Sequence, residues 1–226
     1  MNLPIVKQIL SANDLVAREN RATFDELGVF VVNVMASPGA GKTSVILATA
    51  ERLPRQVRLG VIEGDLASSL DADKVAACGI PVTQINTGGG CHLDAPMIRA
   101  ATAQLPLRDL DLLLIENVGN LVCPADFALG ANLALVIASA PEGHDKPYKY
   151  PGIFAQADAI LLNKSDLLAV FDFDFDFFQR GIAMVNPDAP IFPVSCKTGA
   201  GLDAWLAWLL EKQKAFREDE RQAARI

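Results

Sequence analysis

The stretch that most constrains the fold is Ala36-Ser37-Pro38-Gly39-Ala40-Gly41-Lys42-Thr43, which ends the apolar run 29–36 and leads straight into a helix-like pattern. A strand, a glycine-rich turn and a helix in that order describe a phosphate-binding loop. Gly39, Ala40 and Gly41 supply backbone N–H groups that can turn inward around phosphate oxygens, and the N-terminus of the following helix adds positive potential. Lys42 is then placed to reach the outer phosphates and the Thr43 hydroxyl to ligate Mg2+, with Ser44 beside them in the nucleotide-binding set. Ala36 stands where such loops usually carry a first glycine. A small residue serves there as long as its φ stays negative. The competing description is a plain glycine-rich turn, and the ordered Gly-x-Gly-Lys-Thr run argues against it.

Such a loop belongs at the carboxyl end of a parallel strand, and the rest of the chain supplies the sheet. Apolar runs at 29–36, 57–63, 111–117, 133–139, 159–164 and 191–195 alternate with helical patterns at 42–53, 67–78, 93–104 and 201–217. Near-continuous runs rich in Val and Ile suit strands covered on both faces. This predicts an α/β fold, doubly wound, with a mostly parallel sheet, helices on both faces and ligands beyond the strands' carboxyl ends. With 226 residues, no internal repeat and no linker, the chain reads as a single domain over 1–226, with an amphipathic N-terminal helix over 4–22 packed on it.

Composition narrows the function classes. A hydrophobic content of 51% against 21% charged residues excludes a disordered tail or a coiled coil. The net charge of −7 argues against nucleic-acid binding, because little here would neutralise a phosphate backbone. It does not argue against one nucleotide held by local donors. The apolar runs are strand-sized, so no membrane span is expected. Four cysteines, Cys78, Cys91, Cys123 and Cys196, are too few for a disulfide framework, and the N-terminus lacks the marks of a signal peptide. A reducing, cytoplasmic location follows, with cysteines that are free thiols or metal ligands.

Asn163-Lys164-Ser165-Asp166 follows the fifth apolar run. A carboxylate at Asp166 can accept two hydrogen bonds from guanine's ring N–H and exocyclic amine, which adenine does not offer in that geometry. Ser195-Cys196-Lys197, after the last run, is the expected second base loop, its N–H groups meeting the guanine carbonyl. The predicted nucleotide is therefore GTP, with GDP as its product. Glu116, in Glu116-Asn117-Val118-Gly119, ends a strand as a Mg2+-side acid should, and the Gly119 N–H can meet a γ-phosphate. Asp65, in Glu63-Gly64-Asp65, can hold a Mg2+-bound water or orient the attacking water. Lys42, Asp65 and Glu116 form the expected catalytic set. Either acid can instead be a plain helix N-cap, a description that suits Asp71 or Asp73 better.

The chain has only two histidines, and one adjoins a cysteine in Gly88-Gly89-Gly90-Cys91-His92-Leu93-Asp94. Cys123 lies just beyond Glu116 and offers a third donor. Thiolate and imidazole suit Ni2+ or Zn2+, and a shell of about four donors exceeds what one chain supplies here. Two chains meeting at a twofold axis would complete it. The bland alternative is a buried thiol beside a surface histidine. Cys78 and Cys196 are read as structural and His144 as a solvated loop residue. The alternating segment Phe171-Asp172-Phe173-Asp174-Phe175-Asp176-Phe177-Phe178 is read as a surface excursion with its rings tucked against the body, and no chemistry is assigned to it.

Taken together, these residues resemble the HypB family, the SIMIBI-class P-loop GTPases of nickel–iron hydrogenase maturation. The resemblance runs from Asn13 and Asn20-Arg21 through the phosphate loop and Glu63-Gly64-Asp65 to Thr87-Gly88-x-x-Cys91-His92-Leu93-Asp94-Ala95. It continues through Ile115–Pro124, Glu142-Gly143-x-Asp145-Lys146-Pro147-x-Lys149-Tyr150-Pro151 and the Asn163–Asp166 motif. It implies GTP hydrolysis, a GTP-promoted homodimer, and an interfacial metal site built from Cys91, His92 and Cys123, and with no arginine finger identifiable in the sequence slow intrinsic hydrolysis is expected. It further implies a HypA-type nickel chaperone and the hydrogenase large subunit as partners. The sequence has neither the N-terminal cysteine cluster nor the histidine-rich stretch of some members, which points away from nickel storage. His144 stands where an acidic residue is common in that family. The urease-maturation GTPases share the phosphate loop but carry a Cys-Pro-His motif that is absent here. Two readings of another class stay open: a metal chaperone whose nucleotide only props up a dimer, and a dimer scaffold with structural Zn2+.

Overall fold

A computed structural model describes the backbone of residues 4–223 and the side chains of residues 12–220. In chain order the elements are α1 (Pro4–Leu27), β1 (Phe30–Ala36), α2 (Lys42–Ala50), β2 (Leu59–Asp65), α3 (Leu70–Ala77), β3 (Val82–Asn86) and α4 (Ala95–Thr102). They continue as β4 (Leu112–Glu116), β5 (Leu133–Ser139), α5 (Lys146–Lys149), α6 (Pro151–Ala155), β6 (Ala159–Asn163), α7 (Phe175–Val185), β7 (Ile191–Pro193) and α8 (Leu202–Ala223).

The seven strands are all parallel and lie in the order β3-β2-β4-β1-β5-β6-β7. Continuous burial explains the continuous hydrophobic runs: every residue of β1, β4 and β6 is buried. Alternate residues of one strand go to opposite faces. Val32, Val34, Leu112 and Leu114 pack on the side of α2 and α8, where Trp205 is 1% exposed and its indole N–H donates to Thr49 Oγ1 at 3.1 Å. Val31, Ile62, Leu113 and Ile115 pack on the other side with Phe24 of α1 and Ile98 of α4. A third cluster around Phe154, Phe178 and Ile182 closes the β5–β6 end.

Helix α1 runs on to Leu27, beyond the expected end near residue 22. Its buried asparagines lock it to the domain. Asn13 donates from Nδ2 to the Ala128 carbonyl at 2.9 Å and accepts from the Ala95 N–H at 2.9 Å. Asn20 donates to the Ala95 and Leu129 carbonyls at 2.9 and 3.2 Å.

Three readings need correction. Val82–Asn86 forms a strand that no apolar run announces, because it is a half-exposed edge strand with Thr83 and Gln84 in its middle. The Phe/Asp segment is not wholly a surface excursion: the Asp174 side chain accepts the Phe177 N–H at 2.8 Å and caps α7, so residues from Phe175 onward are helical. Phe173, Phe175 and Phe178 do pack inward, with Phe178 fully buried, while Phe171 stays exposed. His144 is not simply solvated. Its Nδ1 accepts the Asp174 N–H at 3.1 Å, and its ring meets Phe173 and Phe177 edge-on.

Candidate functional site

All the predicted site residues fall at the carboxyl ends of the strands, and the sheet order spreads them along one rim. The metal-type cysteine loop follows β3, the acids end β2 and β4, the phosphate loop follows β1, and the base loops follow β6 and β7.

At the centre, Ala36 closes β1 with negative φ, so no glycine is needed there. Gly39 and Gly41 have φ of 77° and 98°, the left-handed region that lets the loop wrap a phosphate. The loop is clasped from the β6 side. Asn163 Nδ2 donates to the Ala40 carbonyl at 2.9 Å and Lys164 Nζ to the Gly39 carbonyl at 2.7 Å. A Cβ on Gly41 would lie 2.5 Å from Asn163 Nδ2, so Gly41 is required by space as well as by φ. On the other side the Ser37 hydroxyl donates to Glu142, which also accepts from Ser139 Oγ at 2.7 Å. Burial pushes the Glu142 carboxyl above its ordinary pKa.

Lys42 Nζ stands 4.0 Å from Glu116 Oε1, and the Thr43 hydroxyl donates to the same oxygen at 3.0 Å. Glu116 is 3% exposed, and burial pushes its carboxyl up to about 7 against the pull of Lys42. Oxygens of Glu63, Asp71 and Glu116 come within 4.8 Å of one another. Glu63 is 1% exposed, and burial, with Glu116 second, pushes it up to about 8. The Oε2 atoms of both glutamates are buried without a hydrogen-bond partner. Three carboxylates against one lysine, with two orphaned oxygens, form a donor set that suits a hard divalent cation such as Mg2+.

Asp65, at the end of β2, has one carboxylate oxygen engaged by the turn that follows it. Its Oδ1 accepts the Ala67 and Ser68 N–H groups at 2.9 and 2.8 Å, which holds its pKa below the usual carboxylate value. Asp65 is not the N-cap of α3, a position Ser69 holds, and Glu63, two residues earlier on the same strand, joins the acid cluster beside it. A carboxylate inside an otherwise apolar strand run, two residues before Asp65, was the available signal. Asp71 is likewise no N-cap: Ser69 holds that position, and Asp71 sits in the first turn of α3.

The base side is a cavity of about 530 Å3 lined by Gly41, Ser44, Asn163, Lys164, Asp166, Cys196 and Lys197, among others. Ser195 is fully buried, and its hydroxyl donates to Asp166 Oδ1 at 2.6 Å. Its N–H is taken by the Ala200 carbonyl at 2.9 Å, so Ser195 orients Asp166 and does not itself offer a donor to a base. Cys196 Sγ lies 3.5 Å from Asn163 Oδ1, against the back of the same loop. A larger cavity of about 640 Å3, lined by Leu53, Val57, Cys78 and Pro81 among others, opens at the opposite, amino end of the strands, away from these groups.

At the β3–β4 end, Cys91, His92 and Cys123 each bring a donor atom within 4.8 Å of the others. Cys91 Sγ is 2.9 Å from Cys123 Sγ and 3.6 Å from His92 Nδ1. The His92 ring stacks on Phe127 at 3.8 Å, and burial lowers its pKa, favouring the neutral imidazole.

One segment, Glu116 to Cys123, links this cluster to the phosphate loop. Gly119 lies so close to Pro38 that a Cβ would meet its backbone at 3.0 Å. The Asn120 N–H donates to the Ala36 carbonyl at 2.8 Å, while its side chain donates to the Cys91 carbonyl at 3.2 Å. Asn117, fully buried, accepts the Leu93 N–H at 3.1 Å and donates to Asn33 at 3.2 Å. Sequence reasoning gave the two asparagines no role, since their effect depends on which loops the sheet order brings together.

Comparison with known proteins agrees with this arrangement. Residues 30–193 match the family described as CobW/HypB/UreG, nucleotide-binding domain. The hydrogenase maturation factor HypB of Azotobacter vinelandii is 50% identical over 215 residues, covering 95% of this chain and 71% of that protein. The crystal structure of HypB from Helicobacter pylori in complex with nickel superposes with a TM-score of 0.87 at 40% identity, covering 90% of this chain and 96% of that one. HypB from Archaeoglobus fulgidus superposes with a TM-score of 0.84 at 40% identity, covering 90% and 99%.

Proposed function

Because the chain belongs to the CobW/HypB/UreG family of nucleotide-binding domains, and within it to the HypB hydrogenase maturation factors, we propose that it is a GTPase whose nucleotide state governs a nickel site. The observation that carries this is Asn120, one side of which holds the phosphate loop while the other holds the Cys91 carbonyl. A γ-phosphate drawn against Gly119 moves the same short segment that carries Cys123.

Guanine is selected by Asp166, oriented by Ser195 Oγ, with the Cys196 and Lys197 N–H groups left for the base carbonyl. Lys42 and the N–H groups of residues 39–43 neutralise charge that builds on the phosphoryl oxygens during transfer to water. Mg2+, when bound, neutralises charge on the phosphates and orients them. Thr43, Glu116, Glu63 and Asp71 are the residues that would hold it. Glu116 also anchors the Lys42 and Thr43 side chains. The described residues around the phosphate site offer no arginine to it, so slow intrinsic turnover is expected, as befits a timer.

Nickel is cargo rather than cofactor. Cys91, His92 and Cys123 give three donors, and a second copy related by a twofold axis gives the rest. The exposed side chains of Leu66, Leu70 and Val122, all in segments beyond the strand ends, offer that copy an apolar surface. Delivery to a hydrogenase large subunit, with a HypA-type chaperone as donor or recipient, completes the reading. A purely structural Zn2+ is the second reading, and the same thiolate and imidazole donors favour it equally.

The nucleotide assignment is tested with Asp166→Asn. An amide there offers a donor and an acceptor that suit xanthine rather than guanine. The variant should lose GTP binding and gain affinity for xanthosine triphosphate in a fluorescent-nucleotide titration. Undiminished GTP binding would remove Asp166 from the base site.

A further inference from the structure

We propose that Cys91 and Cys123 form a site of reversible disulfide formation, in which a low-molecular-weight disulfide oxidises the pair and the bond so formed excludes metal.

The pair is unlike the other two cysteines. Its sulfurs are 2.9 Å apart, inside the separation of about 3.5–4.0 Å at which unbonded heavy atoms rest. Two thiolates on one tetrahedral ion with metal–sulfur bonds of about 2.3 Å would stand about 3.8 Å apart. The pair is therefore already closer than tetrahedral chelation would hold it, with less than about 1 Å left to a sulfur–sulfur bond of about 2.0 Å. Cys91 is exposed and Cys123 partly so, whereas Cys78 and Cys196 have no thiol neighbour among the described residues. Both members lie on segments between elements, Cys91 after the run Gly88-Gly89-Gly90 and Cys123 at the start of a short 3-10 turn, Cys123–Asp126. Gly88 and Gly89 have φ of 61° and 107°, and a glycine run of this kind can absorb the remaining approach without moving the sheet. The His92 ring stacks on Phe127 with its Nδ1 3.6 Å from Cys91 Sγ, while the two sulfurs at 2.9 Å face each other without an imidazole between them.

The chemistry balances by two exchanges. The Cys91 thiolate, its proton released to solvent, attacks one sulfur of the small disulfide, whose other half leaves as a thiolate and takes up a proton. The Cys123 thiolate then attacks Cys91 Sγ, and the second small thiol leaves. Two protein thiols are oxidised by two electrons and one small disulfide is reduced to two thiols. In a reducing compartment the reverse exchange is favoured, so the bond forms only when the thiol pool is oxidised. The site stands on the sulfur geometry alone, while its antagonism to metal rests on the proposed metal site.

The experiment treats the full chain, metal-free in chelator, with oxidised glutathione and follows intact mass and non-reduced peptide maps. The expected product lacks two hydrogens at Cys91 and Cys123, carries no glutathione there, and shows a Cys91–Cys123 linked peptide pair. Cys78, exposed and without a partner, gains a glutathione adduct in the same sample. Cys91→Ser leaves Cys123 as a stable mixed disulfide. A persistent adduct on Cys91 or Cys123 in the unsubstituted chain, linkage of either to Cys78, or no reaction at this pair would overturn the proposal. In a second arm, one equivalent of Zn2+ added beforehand should slow the linkage at least about tenfold. An unchanged rate would overturn the antagonism, and with it the metal reading of these sulfurs, while the disulfide itself would stand.

Discussion

Replacing Glu63 by glutamine should stabilise the cation-free protein at alkaline pH, although the residue is buried in a polar cluster. The folded state lifts the Glu63 carboxyl from its ordinary 4.5 to about 8, burial first and Glu116 second. Between those values the unfolded chain has released a proton that the folded chain still holds, so stability falls as pH rises across that window. Below it nothing is lost, and above it the full cost is present. At about 1.4 kcal/mol per pH unit the ceiling is about 5 kcal/mol, and relaxation around the ionised cluster should leave about 2–3 kcal/mol. Glutamine has the shape of the protonated acid and never ionises. Urea unfolding in chelator at pH 4, 7 and 9 should give nearly equal stability at pH 4 and a variant more stable by about 2–3 kcal/mol at pH 9. Millimolar Mg2+ should narrow that gap by stabilising the natural protein more than the variant. A variant equally or less stable at pH 9, or an Mg2+ effect undiminished by the substitution, would refute the assignment of Glu63 to the acid cluster.

Four further expectations follow from single contacts. Ser195→Ala removes the hydroxyl that orients Asp166 and should weaken GTP binding about fivefold, from a hydrogen bond of about 1 kcal/mol, with little change in ATP binding. Gly119→Ala sets a methyl against the Pro38 backbone and should lower GTP affinity about tenfold through the displaced loop, measured by the same nucleotide titration. Asn20→Ala leaves the Ala95 and Leu129 carbonyls without their donor and should cost about 2 kcal/mol, about 5 °C in melting temperature. Asn120→Ala should leave Ni2+ and GTP each able to bind, while the influence of one on the other in paired titrations falls severalfold.

Most of the rim was legible because it is carried by contiguous motifs. A run such as Val29–Ala36 is apolar but for Asn33 because both faces of β1 are covered, and the phosphate loop must follow it. Cys91 and Cys123 were also legible as a pair, since Cys91 adjoins one of only two histidines and Cys123 lies in the segment just beyond Glu116. What eluded the sequence depends on packing between distant segments. β3 lies at a sheet edge, so its polar Thr83 and Gln84 break the pattern of burial that marks the other strands. Helix α7 starts inside a strictly alternating stretch because the Asp174 cap, not the alternation, decides where the backbone turns helical. Glu63 and Asp65 are two residues apart on the same strand. Only the fold shows that the turn after Asp65 engages one of its carboxylate oxygens while Glu63 lies buried against Asp71 and Glu116.

The most direct test of a metal site governed by nucleotide is a Ni2+ titration of the full chain, once with GDP and once with a non-hydrolysable GTP analogue, with Cys91→Ala alongside. The account predicts a different affinity or stoichiometry in the two states, with the GTP-analogue form dimeric and the difference lost in the variant. Identical Ni2+ binding in both states would contradict it, leaving a GTPase whose metal is structural.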